Sequence, residues 1–189
     1  MYESYGLNLG ILYKTNCRGE ETQLARLEEA LAAYRSARTI APKKSDVHER
    51  LGAALLIASD TSPVGSVVKH RHARDAAEAF RDALEFSPAA DQGALWERRG
   101  DAHLAVAVNA QAQPGGYQLA KAHEDWPRGA ATANRAEVVT SGPAQPPPPP
   151  PGVVAAAAYA EAVASFTSAT RLQPESSGAY AKLAMAIHG

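Results

Sequence analysis

The chain has 189 residues, a net charge of −1 at neutral pH, 46% hydrophobic residues and 21% charged residues. This composition is typical of a soluble domain or a short repeat array, and it gives no reason to expect nucleic acid or an anionic membrane as a partner. The single cysteine, Cys17, excludes an internal disulfide.

The sequence shows no signal that would direct the chain out of the cytoplasm. No apolar run follows a basic segment near the N-terminus, so a secretory signal is not expected. No run of about 18 apolar residues occurs, so a membrane span is not expected either. We expect a cytoplasmic protein, although an organellar protein whose presequence has been removed would show the same pattern.

Apolar residues spaced three and four apart predict seven main helices and no strand. The helices form three pairs and a terminal helix, at residues 3–42, 45–88, 91–174 and 177–188. Each pair ends at a proline, which cannot continue a helix and disfavours helical geometry in the residue before it. Ser45 and Asp46 are expected to cap the first helix of the second pair. The chain is thus expected to form one all-α array over residues 1–189.

Two stretches are expected to interrupt the pairs. Residues 60–65, DTSPVG, are rich in turn-forming residues. Residues 110–152 are expected to be a partly disordered insertion, in which residues 117–126 could form a short helix and residues 130–152 are low in complexity and end in six prolines. Such a run adopts an extended polyproline II conformation and cannot join a packed core. It resembles the proline-rich ligands of SH3-type domains, but a passive linker would have the same composition, and both interpretations stay open.

The three pairs share an internal repeat in their second helix. A small residue, an aromatic residue, another small residue and a proline follow one another at offsets of four, three and five. The copies are Ala30, Tyr34, Ala37 and Pro42; Ala76, Phe80, Ala83 and Pro88; and Ala162, Phe166, Ala169 and Pro174. These offsets place the small and aromatic residues on one helical face, where a neighbouring helix can approach closely and the aromatic ring fills the space between the two.

The first helix of two pairs carries a second pattern, with Leu9, Gly10 and Tyr13 in one and Trp96 and Gly100 in the other. Together with the three repeats, these residues resemble the tetratricopeptide repeat family, over about 120 residues. The resemblance implies an all-α solenoid of helix–turn–helix units, each with a helix A and a helix B. This chain would hold about three and a half repeats.

The chain departs from the family in length and at two positions. The family repeat has about 34 residues, whereas 46 residues separate Pro42 from Pro88 and 86 separate Pro88 from Pro174. The extra length is assigned to long insertions between helix A and helix B. Arg99 stands where the family has a leucine before the glycine, and Ala184 stands where it has the glycine.

In that family the A helices line a concave groove, so the resemblance implies a noncatalytic interaction module or scaffold that binds a peptide or a partner subunit. The alternative is a structural subunit of a large assembly, docked through its insertions and its C-terminal helix. The residues expected to line the groove are Leu7, Ile11, Lys14, Glu49, Arg50, Glu97, Arg98, Asp101 and Lys182.

Two details refine this groove. Some members of the family hold a carboxylate with Lys and Asn side chains, and this chain has Leu7 and Ile11 at the matching positions, so that clamp is expected to be absent. Arg50 and Arg98 occupy equivalent turns, where they could hold an acidic side chain or form ordinary helix surface.

The sequence carries no pattern that indicates catalysis. It has no phosphate-binding loop, no nucleophile elbow and no paired cysteines, and its six histidines show no metal-ligand spacing. We therefore expect no enzyme activity, no cofactor and no metal.

The terminal helix, at residues 177–188, is a helix A without a following helix B. Its apolar stripe is wider than one neighbouring helix can cover, and an exposed apolar patch of a few hundred Å² is uncommon on a soluble monomer. We expect this end to be a docking surface formed by Tyr180, Met185 and Ile187, covered by another molecule or by a longer array.

Overall fold

The computed structural model describes residues 20–112 and 151–188. Six α-helices occur there: α1 Glu20–Ile40, α2 Ser45–Thr61, α3 Val67–Phe86, α4 Gln92–Gln111, α5 Pro151–Leu172 and α6 Ser177–His188. A short 3-10 helix, Ala89–Asp91, precedes α4. No strand is present within these two ranges, so the expected all-α fold is confirmed for them. The predicted first helix and most of the predicted insertion at 110–152 lie outside the described residues.

The helices pack in chain order. Each helix contacts the next one along the chain, and α4 also contacts α2 and α6. These contacts place α2, α4 and α6 beside one another. Most of the packing in the described residues is therefore between helices that are neighbours in the sequence.

The expected insertion at residues 60–65 is wrong in extent. Helix α2 continues through Thr61 and α3 begins at Val67, so residues 62–66 alone connect them. The extra length of this pair lies in its helices, which have 17 and 20 residues. Asp60 continues α2 because the helix stops only before Pro63, and Ser66 caps α3 by accepting a hydrogen bond from the Lys69 amide.

The connection at 62–66 is fastened to α4 by a buried asparagine. The Asn109 side chain accepts a hydrogen bond from the Gly65 amide at 2.6 Å and donates one to the Ser66 carbonyl at 3.1 Å. Gly65 has a φ of 78°, a backbone conformation that glycine adopts without strain. Asn109 thus satisfies backbone groups that a turn would otherwise leave without partners.

The expected cap at the start of α2 is also wrong. Lys44 occupies the N-cap position and contributes no side-chain hydrogen bond there. The Ser45 hydroxyl instead donates to the Ala83 carbonyl near the end of α3, at 2.9 Å. The serine therefore joins the start of α2 to the end of α3. The last carbonyl groups of a helix have no amide donor within that helix, and the Ser45 hydroxyl supplies one to Ala83.

Two glycine–phenylalanine contacts hold the helix pairs together. A Cβ atom on Gly52 of α2 would lie 2.9 Å from the Phe80 ring of α3, and one on Gly100 of α4 would lie 2.6 Å from the Phe166 ring of α5. Both phenylalanines are fully buried. Each glycine therefore allows an approach that any larger residue would block, and the two contacts are equivalent in the two pairs.

Helices α2, α4 and α6 repeat one burial pattern on the side that faces the preceding helix. Counted from Gly52, Gly100 and Ala184, equivalent positions are buried in all three helices: Val47, Leu95 and Ala179, and then Ala54, Ala102 and Ala186. The three helices therefore share a register, and we call them the A helices.

Helix α5 contains a long apolar segment. The segment Gly152–Leu172 is one helix of the described residues that could cross a membrane by length and composition. A core helix meets the same criteria, and α5 packs along α4, with Ala162, Phe166 and Ala169 buried. Length and composition alone therefore do not assign this helix to a membrane.

Candidate functional site

Five predicted groove residues meet on one face of the A helices. Arg98 of α4 donates a hydrogen bond from Nη1 to Glu49 Oε1 of α2 at 2.6 Å. Lys182 of α6 donates from Nζ to Glu97 Oε1 and to Asp101 Oδ2 of α4, both at 2.8 Å. We call this set the ion-pair ladder, and its paired residues lie 49 to 85 positions apart in the sequence.

The ladder follows from the shared register of the A helices. Arg50, Arg98 and Lys182 are equivalent positions, and Arg98 and Lys182 each reach the glutamate of the preceding A helix. The position equivalent to Glu49 and Glu97 is Ala181 in α6. The ladder therefore ends at α6, which offers no carboxylate at this position to a further basic side chain.

The ladder limits what this face of the A helices can bind. Arg50 donates to Asp46 within its own helix at 2.8 Å, and Arg98 is engaged by Glu49. An acidic ligand would have to displace these carboxylates before the two arginines held it together. The pairs are partly exposed, so each contributes on the order of 1 kcal/mol or less to stability.

The pKa values of the Lys182 group reflect partial burial. Burial lowers the pKa of Lys182, but the hydrogen bonds to Asp101 and Glu97 outweigh it, and the net direction is upward. Burial also raises the pKa of the Asp101 carboxyl, against the lowering by the hydrogen bond from Lys182. The lysine thus stays charged, and the carboxylate depends on it for its hydrogen bond.

The predicted docking residues are exposed but do not share one face. Tyr180, Met185 and Ile187 are 49%, 65% and 61% exposed. Two residues correspond to a rotation of about 200° in an α-helix, so Met185 lies across the helix from Ile187. Leu183 and Ala186 turn inward onto the cluster around Phe166. The predicted single patch is therefore wrong: Tyr180 and Ile187 form one surface, and Met185 belongs to another.

The remaining predicted groove residues, Leu7, Ile11 and Lys14, lie outside the described residues. The described residues of the predicted groove are therefore its polar ones, and its predicted apolar N-terminal end lies outside the described residues.

Sequence reasoning missed a cleft between α1 and α3 over the end of α2. Its volume is about 390 Å³, and it is lined by Leu27, Glu28, Leu31, Arg35, Ala58, Thr61, Ser62, Val68 and His72. The histidine belongs to the basic run KHRHAR, whose pattern we interpret as a solvated first turn. Burial lowers the pKa of His72. The helical period of α3 could have placed His72 on the face that lines the cleft, because it lies four residues from Val68 and four from Ala76.

Two titratable groups on α3 and α4 have strongly shifted pKa values. Burial raises the pKa of Asp75 to about 6, with a further contribution from Glu78. Burial lowers the pKa of His103 to about 4, with a further contribution from Arg99. Both groups are therefore biased towards their neutral forms, which is the expected response to loss of water.

Arg99, at the position where the tetratricopeptide pattern has a leucine, contacts two partners. Its guanidinium lies 5.3 Å from the centre of the Trp96 ring and donates to Glu161 Oε2 at 3.3 Å. The ring face and the carboxylate both attract the guanidinium. These two contacts stabilise the arginine at a position between helices where an apolar side chain would otherwise be favoured.

No arrangement in the part of the chain that the structure describes indicates metal chemistry, since no group of three or more His, Cys, Asp or Glu side chains there is placed to hold an ion. The absence of enzyme activity and of a cofactor stays a prediction. Comparison with protein-family models and with curated proteins finds no match to this chain, so the resemblance to the tetratricopeptide repeats rests on its residues and their spacing alone.

Proposed function

We propose that the chain is a noncatalytic protein–protein interaction scaffold of the tetratricopeptide type. The observation that carries this proposal is the pair of equivalent contacts between Gly52 and Phe80 and between Gly100 and Phe166. A contact that recurs in register builds a solenoid from repeated helix pairs, and solenoids offer long continuous surfaces to partners. The face that bears the ion-pair ladder is the groove in this proposal.

The ladder suggests which partners the groove favours. Its acidic and basic side chains are matched across the A helices, so the face has no strong excess of either charge. A partner segment of mixed or low charge can lie on it without breaking these pairs. A strongly acidic tail would compete with Glu49 and Asp101 for their partners, at a cost in affinity.

Site-specific crosslinking tests the proposal. A photoreactive phenylalanine analogue at Arg50, on the groove face, should give protein adducts in native extract. The same analogue at Glu85, an exposed residue of α3 on the opposite layer, is the matched control and should give few. Equal adduct yields at both positions, or none at either, would contradict binding through the groove.

A second candidate function is that of a structural subunit docked through α6. The observation that favours it is the exposure of Tyr180 and Ile187, two large apolar side chains on one surface of the terminal helix. A groove binder should sediment as a soluble monomer by itself, whereas a docked subunit should associate through this end. Ile187→Lys should abolish such association and leave the crosslinks from Arg50 unchanged, which separates the two candidates.

A further inference from the structure

Among the described residues, nothing covers the face of helix α6 that is formed by Tyr180, Ala184 and Ile187, which we call the open face. Leu183 lies at its edge, against the cluster around Phe166. We propose that the open face binds an amphipathic helix of a partner protein, and that this helix carries a short aliphatic residue where α3 and α5 carry phenylalanine. The inference rests on the second candidate function, because it names the occupant of the α6 surface. It does not depend on binding in the groove.

The register of the A helices identifies the open face. On α2 the equivalent residues are His48, Leu51, Gly52 and Leu55, and all four are buried. His48 and Leu55 are each 3% exposed, because α3 covers them. Their counterparts on α6, Tyr180 and Ile187, are about half exposed or more. The same surface is thus covered in one repeat and uncovered in α6, as far as the described residues extend.

The covered copies indicate what kind of element fits. On α2 and on α4, the element that covers this face is a helix whose phenylalanine lies over the central small residue. A helix covers the face because residues four apart on each partner interdigitate. The open face also lacks acidic side chains, since α6 contains none, and Lys182 is already paired with α4. An apolar helical stripe therefore matches it better than a charged segment.

Ala184 decides which residue the partner helix presents. A Cβ atom at the equivalent glycines would lie 2.9 Å from the Phe80 ring and 2.6 Å from the Phe166 ring, well inside van der Waals contact. Ala184 has that Cβ atom. A helix seated in the same way must therefore lack the outer ring atoms at this position, as a valine does.

The same argument weighs against a second copy of this chain. The helices that this chain would offer in exchange, α3 and α5, both present phenylalanine at the central position. Their rings fit the glycines of α2 and α4 and overlap the Ala184 methyl group. A partner of different sequence at this position is therefore the better occupant.

Peptide binding to the 189-residue chain tests the inference. The probe is the α3 sequence, residues 67–86, labelled with a fluorophore and held helical by a lactam between Glu85 and a lysine introduced by Arg81→Lys. Two versions are compared, one with Phe80 and one with Phe80→Val. We expect the valine peptide to bind about tenfold more tightly, because the phenylalanine peptide overpacks against Ala184.

Variants of the chain locate the binding and test its cause. Ala184→Gly should invert the preference, so that the phenylalanine peptide binds more tightly. Ile187→Lys should remove binding of the valine peptide, whereas Met185→Lys, on the other side of the same helix, should leave it unchanged. Retained helical circular dichroism in each variant excludes unfolding as the cause.

Four outcomes would overturn the inference. They are the absence of peptide binding, equal binding of the two peptides, binding that survives Ile187→Lys, and a chain that by itself sediments as an Ile187-dependent dimer. The last outcome identifies a second copy as the occupant. Crosslinking from the groove at Arg50 is unaffected by any of them, so failure here is distinct from failure of the groove function.

Discussion

The α2–α3 and α4–α5 interfaces have the same central contact and different surroundings. In both, a phenylalanine ring lies against a glycine. Around that contact, α2 contributes Leu51 and Leu55, which are buried and aliphatic. Helix α4 contributes Arg99 and His103 at the equivalent positions. The shape of the central contact is thus kept where the chemistry around it changes.

The difference shows how a repeat interface tolerates polar residues. Arg99 recovers part of its lost hydration through Glu161 and the Trp96 ring. The α4–α5 pair is also longer, at 20 and 22 residues, and adds buried alanines beyond the glycine contact. Additional apolar contact along the longer helices offsets the desolvation of the polar groups.

The largest expected effect is the loss of a central ring. Phe80→Ala and Phe166→Ala should each lower the free energy of unfolding by about 3–5 kcal/mol, because each leaves a cavity at a fully buried position. Denaturant unfolding measures both. If the central contact alone holds each pair, the two losses are similar; a loss below about 1 kcal/mol at either site would show that the ring does not support its interface.

Adding a side chain at the glycine of the contact should lower stability by less than removing the ring. Gly100→Ala places a Cβ atom 2.6 Å from the Phe166 ring, so we expect a loss of about 2 kcal/mol, reduced by the better helix propensity of alanine. Gly178→Ala is the control, because the nearest atom to its Cβ would be 3.9 Å away. The control should be neutral or slightly stabilising. Equal melting temperatures for both variants would contradict the close approach.

Removing the partly buried His103 should make the α4–α5 interface resemble the α2–α3 interface. The pKa of His103 is lowered to about 4, so the unfolded chain binds the proton more strongly and the wild type loses stability as the pH falls below about 6.5. His103→Leu should therefore stabilise the chain by about 1–2 kcal/mol more at pH 5 than at pH 7.5. Unfolding curves at the two pH values measure this gain. A gain that does not depend on pH would mean that the folded and unfolded chains bind the His103 proton equally strongly.

The opposite pH dependence is expected for Asp75 on α3. Its pKa is raised to about 6, so the folded chain binds the proton more strongly and loses stability as the pH rises from about 4 to 6. Asp75→Asn should stabilise the chain by about 1 kcal/mol at pH 7.5 and have little effect at pH 3.5. A stabilisation that is larger at pH 3.5 would contradict the buried carboxyl.

The smallest expected effect comes from the ion-pair ladder. Lys182→Met should lower stability by about 1 kcal/mol or less, because the lysine and both carboxylates are partly exposed. The difference from wild type should shrink in 1 M salt, where exposed charges are screened. Arg50→Met, which breaks a pair within α2 only, is the matched control and should cost less. A loss of several kcal/mol for Lys182→Met would show that α6 depends on the ladder for its position.

Several features of the fold were predictable from local sequence. The helical period and the prolines mark the ends of α1, α3 and α5, because both act within one or two turns of the backbone. The placement of Phe80 and Phe166 in equivalent interhelical contacts follows from their spacing to the flanking alanines. Gly100 belongs to the predicted pattern of the first helix in its pair for the same reason.

Other features were decided by distances between helices. Local sequence did not indicate that residues 60 and 61 continue α2, nor that Ser45 bonds to Ala83 instead of capping its own helix. The cleft beside His72 is likewise formed by residues of three helices, α1, α2 and α3. Each of these depends on how far two elements stand apart, which no single segment specifies.

The sequence by itself determined the all-α class, the register of the helix pairs and the residues at their centres, because these depend on side-chain size at short and regular spacing. Tertiary structure decided the partners of the charged residues that are predicted to line a groove, and the separation of Met185 from Ile187 on α6. Arg98 finds Glu49, and Lys182 finds Glu97 and Asp101, only because close contacts at the glycines bring the A helices side by side. Charge identity is local, but charge pairing depends on the distance between helices that are far apart in the chain.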